Sequence, residues 1–310
     1  MAEITTRRAV SEGLLKLMES DERVVLVSSD SVGVIKAQDI VERYPDRVIE
    51  VGIAEQLAVD TAAGLAAAGM KPFYVTYAVF ASMRACEQVR SMVAYPHLNV
   101  KIIGANGGMG SGEREGVSHQ CFEDIGIFRT FAGMTILSPS DASQVEKAII
   151  AASEIDDPVY IRTGSGKEIA LWDDEEPFEI GKTIVRKEAD SDVVLFSHGF
   201  IMREVMKAAG ELENEGKSVK VVEVSTIKPL PQEAILQHVE GAANVAVVED
   251  HSVYGGLSSA ISELLSRTDP KKITTVALQD TFPESGSAAE LFSKYKMDSK
   301  AIKEKLLTIM

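Results

Sequence analysis

Residues 47–68 read RVIEVGIAEQLAVDTAAGLAAA. A short extended run over residues 47–50 ends in Glu50, and an Ala-, Leu- and Val-rich helical pattern fills residues 56–68. Between them stands Val51-Gly52-Ile53-Ala54-Glu55-Gln56. The hexamer occupies a strand-to-helix junction, the mark of a βα unit. Ligands of open α/β sheets gather at the carboxyl ends of strands, and Glu55 falls at such an end. The plainer reading of Glu55 is an acid in a first helical turn, stabilised by the positive end of the helix dipole. The surrounding chain has to decide between them.

Upstream, residues 23–29 (RVVLVSS) form a nearly continuous apolar run, as in a strand buried on both faces. Asp30-Ser31-Val32-Gly33 is the loop after it. Thr5 or Thr6 is expected to cap a helix running to about Met18. A short helix over residues 35–44 ends at Pro45. Downstream, Gly69 stops the Glu55 helix. Strands follow at residues 72–76, 99–104, 134–138 and 158–162, separated by helices at residues 77–95, 122–131 and 141–154. Ser140 or Asp141 caps the last of these helices. Such alternation means parallel βαβ units.

The pattern breaks between residues 164 and 190, where Trp172-Asp173-Asp174-Glu175-Glu176-Pro177 is acidic and irregular, a linker or an exposed edge hairpin. It resumes with strands at residues 191–197, 218–224, 244–249 and 273–278, and helices at residues 201–215, 231–239, 256–266 and 299–307. The expected fold is α/β with two doubly wound domains: a parallel-sheet domain over residues 1–165, a linker over 166–189, and a smaller α/β domain over 190–310. A length of 310 residues agrees with two domains.

The net charge of −15 and pI near 4.9 argue against bulk-charge binding to nucleic acid or anionic membranes. An anionic ligand would need a few local cations, drawn from Arg7, Arg8, Arg84, Arg90, Arg114 and Arg162. For any one of them a solvated salt bridge is the plainer reading, although Arg162 lies at a strand end. Cys86 and Cys121 form no CxxC, so a reduced compartment fits better than a disulfide framework. Neither a signal core nor a spanning apolar run is present, and a soluble cytoplasmic protein is expected.

Three constellations could carry chemistry. The glycine-dense segment GANGGMGSGEREGVSHQ, residues 104–120, lets backbone approach a ligand closely. It has neither Walker nor GxGxxG spacing, so generic phosphate binding is not indicated. Its His119 could move protons or bind hydroxyls, against the plainer reading of a surface histidine. Tyr77, Phe80 and Met83 recur at i, i+3, i+6, ordinarily a core pattern, but here just past a strand end. An aromatic pair at that place could stack on a flat heterocycle. No nucleophile elbow, no His/Cys metal cluster and no Gly-Asp-Gly followed by an Asn is present.

Taken together, these pieces resemble the C-terminal half of a transketolase, across nearly the whole chain. The most specific part runs over residues 51–139. Gly52-Ile53-Ala54-Glu55-Gln56 resembles the family motif around the carboxylate that contacts the cofactor pyrimidine. Pro72-Phe73-Tyr74-Val75-Thr76-Tyr77-Ala78-Val79-Phe80 resembles the next strand and aromatic pocket. The segment ending Ser118-His119-Gln120 resembles a family loop ending Thr-His-Gln. Leu137-Ser138-Pro139-Ser140-Asp141, Val248-Glu249-Asp250-His251 and Gly255-Gly256-Leu257 are also family-like.

The resemblance implies thiamine diphosphate with Mg²⁺, and transfer of a two-carbon ketol unit between sugars, with sugar phosphates expected. Glu55 would be held protonated by a buried apolar setting and bond the pyrimidine ring nitrogen. Tyr77 and Phe80 would sandwich the ring, Met83 replaces a third pocket aromatic, and Asp30 would sit near the thiazolium. His119 would bind donor hydroxyls and move protons. Arg7 and Arg162 align with arginines that hold a sugar phosphate. Asn106 stands about where the family has a phosphate-binding His, and Glu115 where it has an Asp that reads a sugar hydroxyl. These departures bear on the substrate more than on the cofactor. The diphosphate- and metal-binding Gly-Asp-Gly…Asn segment belongs in this family to an N-terminal domain. Its absence implies a separate partner subunit and an α2β2 assembly with sites between chains. The rival within the same architecture is the β subunit of a 2-oxo acid dehydrogenase or a related thiamine-dependent synthase. A non-catalytic α/β binding or scaffold protein is the reading from another class.

Overall fold

The computed structural model describes residues 5–110, 115–164, 170–172, 178–191 and 193–310. Arg114 and residues 173–177 of the acidic run lie outside them. Twelve strands build two sheets among the described residues. They are β1 (Val24–Ser28), β2 (Val48–Glu50), β3 (Lys71–Tyr77), β4 (Lys101–Ala105), β5 (Thr135–Leu137), β6 (Val159–Arg162), β7 (Ile184–Lys187), β8 (Val193–Ser197), β9 (Lys220–Glu223), β10 (Thr226–Lys228), β11 (Asn244–Ser252) and β12 (Ile273–Leu278). The first sheet runs β10-β5-β6-β4-β3-β1-β2 and the second β12-β11-β8-β9-β7.

All pairs in the first sheet are parallel except β10 with β5, and all in the second except β7 with β9. The expected α/β class is what the chain adopts. Helices cover both faces of the parallel strands, so the central strands are mostly apolar and every residue of β1, β4, β6 and β8 is buried. Lys101 is the charged exception in β4. Its ammonium is bonded to Asn99 Oδ1 and to the carbonyls of Ile155 and Asp157, and burial lowers its pKa to about 7.

Two strands escape the sequence pattern. β7 falls inside the stretch expected as linker and joins the second sheet at its edge. β10 follows the second sheet's β9 yet pairs with β5 of the first, Thr226 opposite Leu137. Ile227 on β10 belongs to one apolar cluster that holds Tyr74, Phe128 and Tyr160 of the first half together with Phe196, Val222 and Val247 of the second. The two sheets therefore share a core.

Helix termini differ from expectation in detail. The first helix is Thr6–Ser20, with Thr5 at its N-cap position but making no side-chain cap bond. The second shrinks to Gln38–Arg43. Asp141 caps Ala142–Ser153 as expected, accepting from the Gln144 N–H at 2.8 Å. The single helix expected over residues 77–95 is broken. The Ala85 N–H reaches back five residues to the Phe80 carbonyl, and Tyr95 likewise to Arg90. Widened turns of this kind are rare and recur at functional sites.

Candidate active site

The loops after β1, β2, β3 and β4 leave the carboxyl ends of adjacent parallel strands, so they open on one edge of the first sheet. Strand order turns around at β1, with β2 on one side and β3 on the other. A doubly wound sheet leaves a crevice at such a point.

Glu55 opens the helix Glu55–Ala67. Gly52 just before it takes φ +73°, a left-handed bend that suits glycine. The Glu50 carboxylate accepts from the N–H of Gly52 at 2.9 Å and of Asp30 at 2.6 Å, tying together the loops after β2 and β1. Asp30 itself is exposed, at φ +55°.

Glu55 is 2% exposed. Its Oε1 accepts from Arg84 Nη1 at 2.6 Å, while Oε2 is buried and has no hydrogen-bond partner among the described residues. The apolar setting expected for Glu55 is thus corrected: a guanidinium stands against one of its oxygens. That guanidinium also covers the Phe80 ring, 4.1 Å from its centroid. Phe80, Tyr77 and His119 then form an edge-to-face trio, with centroids 5.6, 5.0 and 5.2 Å apart. His119 Nδ1 lies 3.0 Å from Ser118 Oγ. Two constellations singled out separately in the sequence, Tyr77 with Phe80 and His119, are therefore neighbours, and Arg84 links them to Glu55.

Burial raises the Tyr77 pKa, with Glu115 adding and Arg7 opposing, so both charges lie within electrostatic reach of that ring. Arg7 Nε is buried with no partner among the described residues. Glu115 is exposed. Asn106 is buried at φ +57°, its Oδ1 also without a partner. Met83 is 43% exposed and does not join the small cluster of Tyr77, Ala78, Val79, Phe80 and Cys121.

Arg162 requires a correction as a phosphate anchor. It is buried, its Nε donates to Asp124 Oδ2 at 2.8 Å, and its Nη2 donates to the carbonyls of Cys121 and Asp250 at 3.1 and 2.9 Å. Tyr160 adds a 2.7 Å bond to the same Asp124 oxygen. Burial works against the Asp124 anion, but Arg162, His251 and Tyr160 outweigh it and hold the carboxyl below its usual range. Its Nε and Nη2 are thus engaged inside the protein.

The sequence reading missed two arrangements. Phe80 and Arg84 are four apart on a helical stretch, so their contact was available as an i,i+4 pair. The second is the seat of the glycine segment on the second sheet, through Asp250, for which no local pattern exists. Among the described residues no group of three His, Cys, Asp or Glu side chains is placed to hold a metal, and no helix is long and apolar enough to cross a membrane.

The fold and pocket define an α/β protein with two sheets, a buried carboxylate and an aromatic trio at the first sheet's crevice. The chain belongs to the transketolase family. Residues 2–167 match the transketolase pyrimidine binding domain, and residues 181–302 the transketolase C-terminal domain. A putative transketolase C-terminal section of Methanocaldococcus jannaschii is 34% identical, over 98% of this chain and 96% of the relative. A 6-deoxy-6-sulfo-D-fructose transketolase subunit of a Clostridium species is 35% identical, over 93% of this chain and 89% of the relative. A solved split gene transketolase, an inactive beta4 tetramer, superposes with a TM-score of 0.88 at 32% identity, covering 99% of this chain and 98% of that one.

Proposed function

We propose that this chain is the cofactor-activating subunit of a two-chain transketolase, moving a two-carbon ketol unit between sugars. The observation that carries the reading is Glu55: a buried carboxylate with one oxygen held by Arg84 and the other partnerless, beside the Tyr77, Phe80 and His119 rings. A buried polar atom without a partner is costly unless a ligand completes it. The residues fit the aminopyrimidine of thiamine diphosphate. Glu55 Oε2 would hydrogen-bond a ring nitrogen, while Arg84 keeps Oε1 in place. Tyr77 and Phe80 would flank the ring, and Asp30 would lie toward the thiazolium. When bound, the cofactor supplies a stabilised carbanion at its thiazolium carbon, which protein side chains lack.

His119 would bind donor hydroxyls and move protons at them. Asn106 Oδ1, a buried acceptor, suits a hydroxyl; Glu115 would read another. Arg7 is the cation left for an anionic sugar tail, since Arg162 is committed to Asp124. The sulfosugar transketolase relative supports an anionic sugar substrate, with no choice of sugar implied.

Residues 1–165 would form the pyrimidine-binding part and residues 190–310 the second domain, with β7 added to its edge. Diphosphate and Mg²⁺ would be held by a partner chain carrying Gly-Asp-Gly…Asn, in a cytoplasmic α2β2 assembly. Ile53 and Leu57, 72% and 54% exposed, flank Glu55 and offer that partner an apolar seat. The inactive tetramer of the split relative supports the need for a second subunit.

The test mixes this chain with its candidate partner, thiamine diphosphate and Mg²⁺, and screens ketose donors. Ketol transfer is expected, and Glu55→Gln is expected to lower it at least about a hundredfold, the scale of losing a charge-tuning group. Undiminished transfer by Glu55→Gln, or turnover of a 2-oxo acid in place of a ketose, would overturn the reading.

A further inference from the structure

A cavity of about 290 Å³ opens where the two halves of the chain meet, at the β10 edge of the first sheet. Lys228 reaches it from β10 and Arg129 from the end of the helix Asp124–Arg129. The helix Leu257–Leu265 supplies Glu263, and Arg267 follows just beyond that helix. None of Glu55, Arg84, Tyr77, Phe80 and His119 lines this space. Four strands separate β10 from β1, where the Glu55 crevice lies. At roughly 4.8 Å between neighbouring strands, the two places are about 24 Å apart across the sheet.

Three cations line the cavity, in a chain whose net charge is −15. Arg129 Nη1 donates to the Gly255 and Gly256 carbonyls at 2.7 and 3.3 Å, and Nη2 to Glu263 Oε2 at 2.8 Å. Lys228 Nζ donates to the Arg129 carbonyl at 3.0 Å and to the Phe131 carbonyl, which takes up two of its three N–H bonds. Both side chains are half-buried and already ordered by backbone, so little ordering entropy remains to be lost on binding. The exposed Arg267 guanidinium has neither a hydrogen bond nor an ion pair among the described residues. Glu263 is the one carboxylate on the wall among the described residues, so two positive charges are left without an anion. Burial lowers the Lys228 pKa and the Arg129 charge lowers it further, a sign of like charges held close together. The remaining wall is partly apolar, through Ile227, Leu230, Ala260 and Leu264. A volume at the lower end of ligand pockets, which span about 300–1,000 Å³, suits a small metabolite.

We propose that this cavity is a second binding site, for a small phosphate monoester: Lys228 and Arg267 hold the dianionic head beside the Arg129 charge, and Ile227, Leu230 and Leu264 cover the organic tail. A phosphate monoester carries close to two negative charges above its second pKa near 6, which matches the two uncompensated cations. The planar fork of Arg267 fits two phosphate oxygens at once, and Lys228 offers a point charge with its remaining N–H. Because Arg129 belongs to the first half of the chain and Arg267 to the second, the bound dianion bridges them. The site is independent of the proposed ketol transfer, since no residue of the Glu55 crevice takes part.

The test titrates the full chain by calorimetry at constant ionic strength, at a pH of about 8 where the head is dianionic. The probes are propyl phosphate, inorganic phosphate and, as the neutral control, propanol. Propyl phosphate is expected to saturate one site per chain that survives Arg7→Ala, the variant lacking the cation assigned to the Glu55 crevice. Arg267→Ala and Lys228→Met should each weaken that site at least about tenfold, the scale of one charge-assisted contact. Glu263→Gln should tighten it several-fold, a gain that misfolding cannot imitate. Inorganic phosphate should bind several-fold more weakly for want of a tail, and propanol should not bind. Propyl phosphate should also raise the melting temperature of the wild-type chain, and do so less in Arg267→Ala. If Lys228→Met does not fold, the exposed Arg267→Ala and the gain in Glu263→Gln decide. No saturable binding up to about 10 mM, binding lost in Arg7→Ala, or binding untouched by Arg267→Ala would each overturn the proposal. Inorganic phosphate binding as tightly as propyl phosphate would overturn the assignment to a monoester.

Discussion

At the scale of the residue, the Glu55–Arg84 pair is lopsided. The carboxylate is 2% exposed, whereas the Arg84 side chain is 47% exposed. Removing the cation strands a buried charge; removing the anion leaves a guanidinium that water can solvate. Arg84→Met should therefore cost the isolated chain about 1–2 kcal/mol, a buried-pair penalty discounted for the wet partner. Glu55→Gln should stay within about 1 kcal/mol of wild type, since the amide keeps the shape and sheds the charge. Urea unfolding of both variants measures this, and the reverse order would mean that the pair does not hold the carboxylate. Glu55→Gln would then be a folded chain that fails in the assembled enzyme, separating stability from chemistry.

At the scale of the element, what was legible depended on how local the cause is. β1, β4, β6 and β8 were readable because a strand buried on both faces is mostly apolar. The Asp141 cap was readable because it acts over three residues. Tyr77, Phe80 and His119 were recognisable as candidates, but their meeting required the sheet to bring two loops together. The widened turns at Phe80 and Arg90 were hidden, because hydrophobic spacing over residues 77–95 is compatible with an unbroken helix. Arg162 was misread because Asp124 and Asp250, which occupy it, are remote in sequence. β10 is three residues long and pairs with a strand about ninety residues earlier, so nothing near Thr226 encodes it. It nevertheless ties the sheets together. Ile227→Ala should cost about 2–4 kcal/mol, typical of a buried large-to-small change. Because the cluster around it spans both halves, the variant should still melt in one calorimetric transition. Two separated transitions would mean that the shared core is not what couples them.

At the scale of the whole molecule, the seam between the domains is charged as well as apolar. His251 Nε2 accepts from the Gly126 N–H at 3.3 Å, and its Nδ1 donates to the Ser252 carbonyl at 2.8 Å, so the ring is the neutral tautomer with its proton on Nδ1. Burial lowers its pKa from the ordinary 6.5, with Glu249 and Asp124 opposing and Arg162 adding. The unfolded chain therefore takes up this proton first as pH falls. The stability it contributes is complete above 6.5 and is lost below that value as pH drops toward the folded pKa. Glu249 acts further down the scale. Burial opposes its charge, but His198, His251 and the Ser258 N–H keep its pKa below the ordinary 4.5, so its contribution fades as pH falls from there. Asp124 has the same sign, and Asp250, raised by burial, has the opposite one and blunts the carboxylate range. Urea midpoints of the wild-type chain should thus decline as pH falls through the interval just below 6.5, with His238, whose pKa burial also lowers, contributing in the same direction. His251→Gln keeps an acceptor for the Gly126 N–H and cannot titrate. Its midpoints should decline less steeply than wild type over that interval, the remaining slope coming from His238. A wild-type profile already flat across the interval, or a His251→Gln profile declining as steeply as wild type, would place the acid sensitivity elsewhere than at this seam.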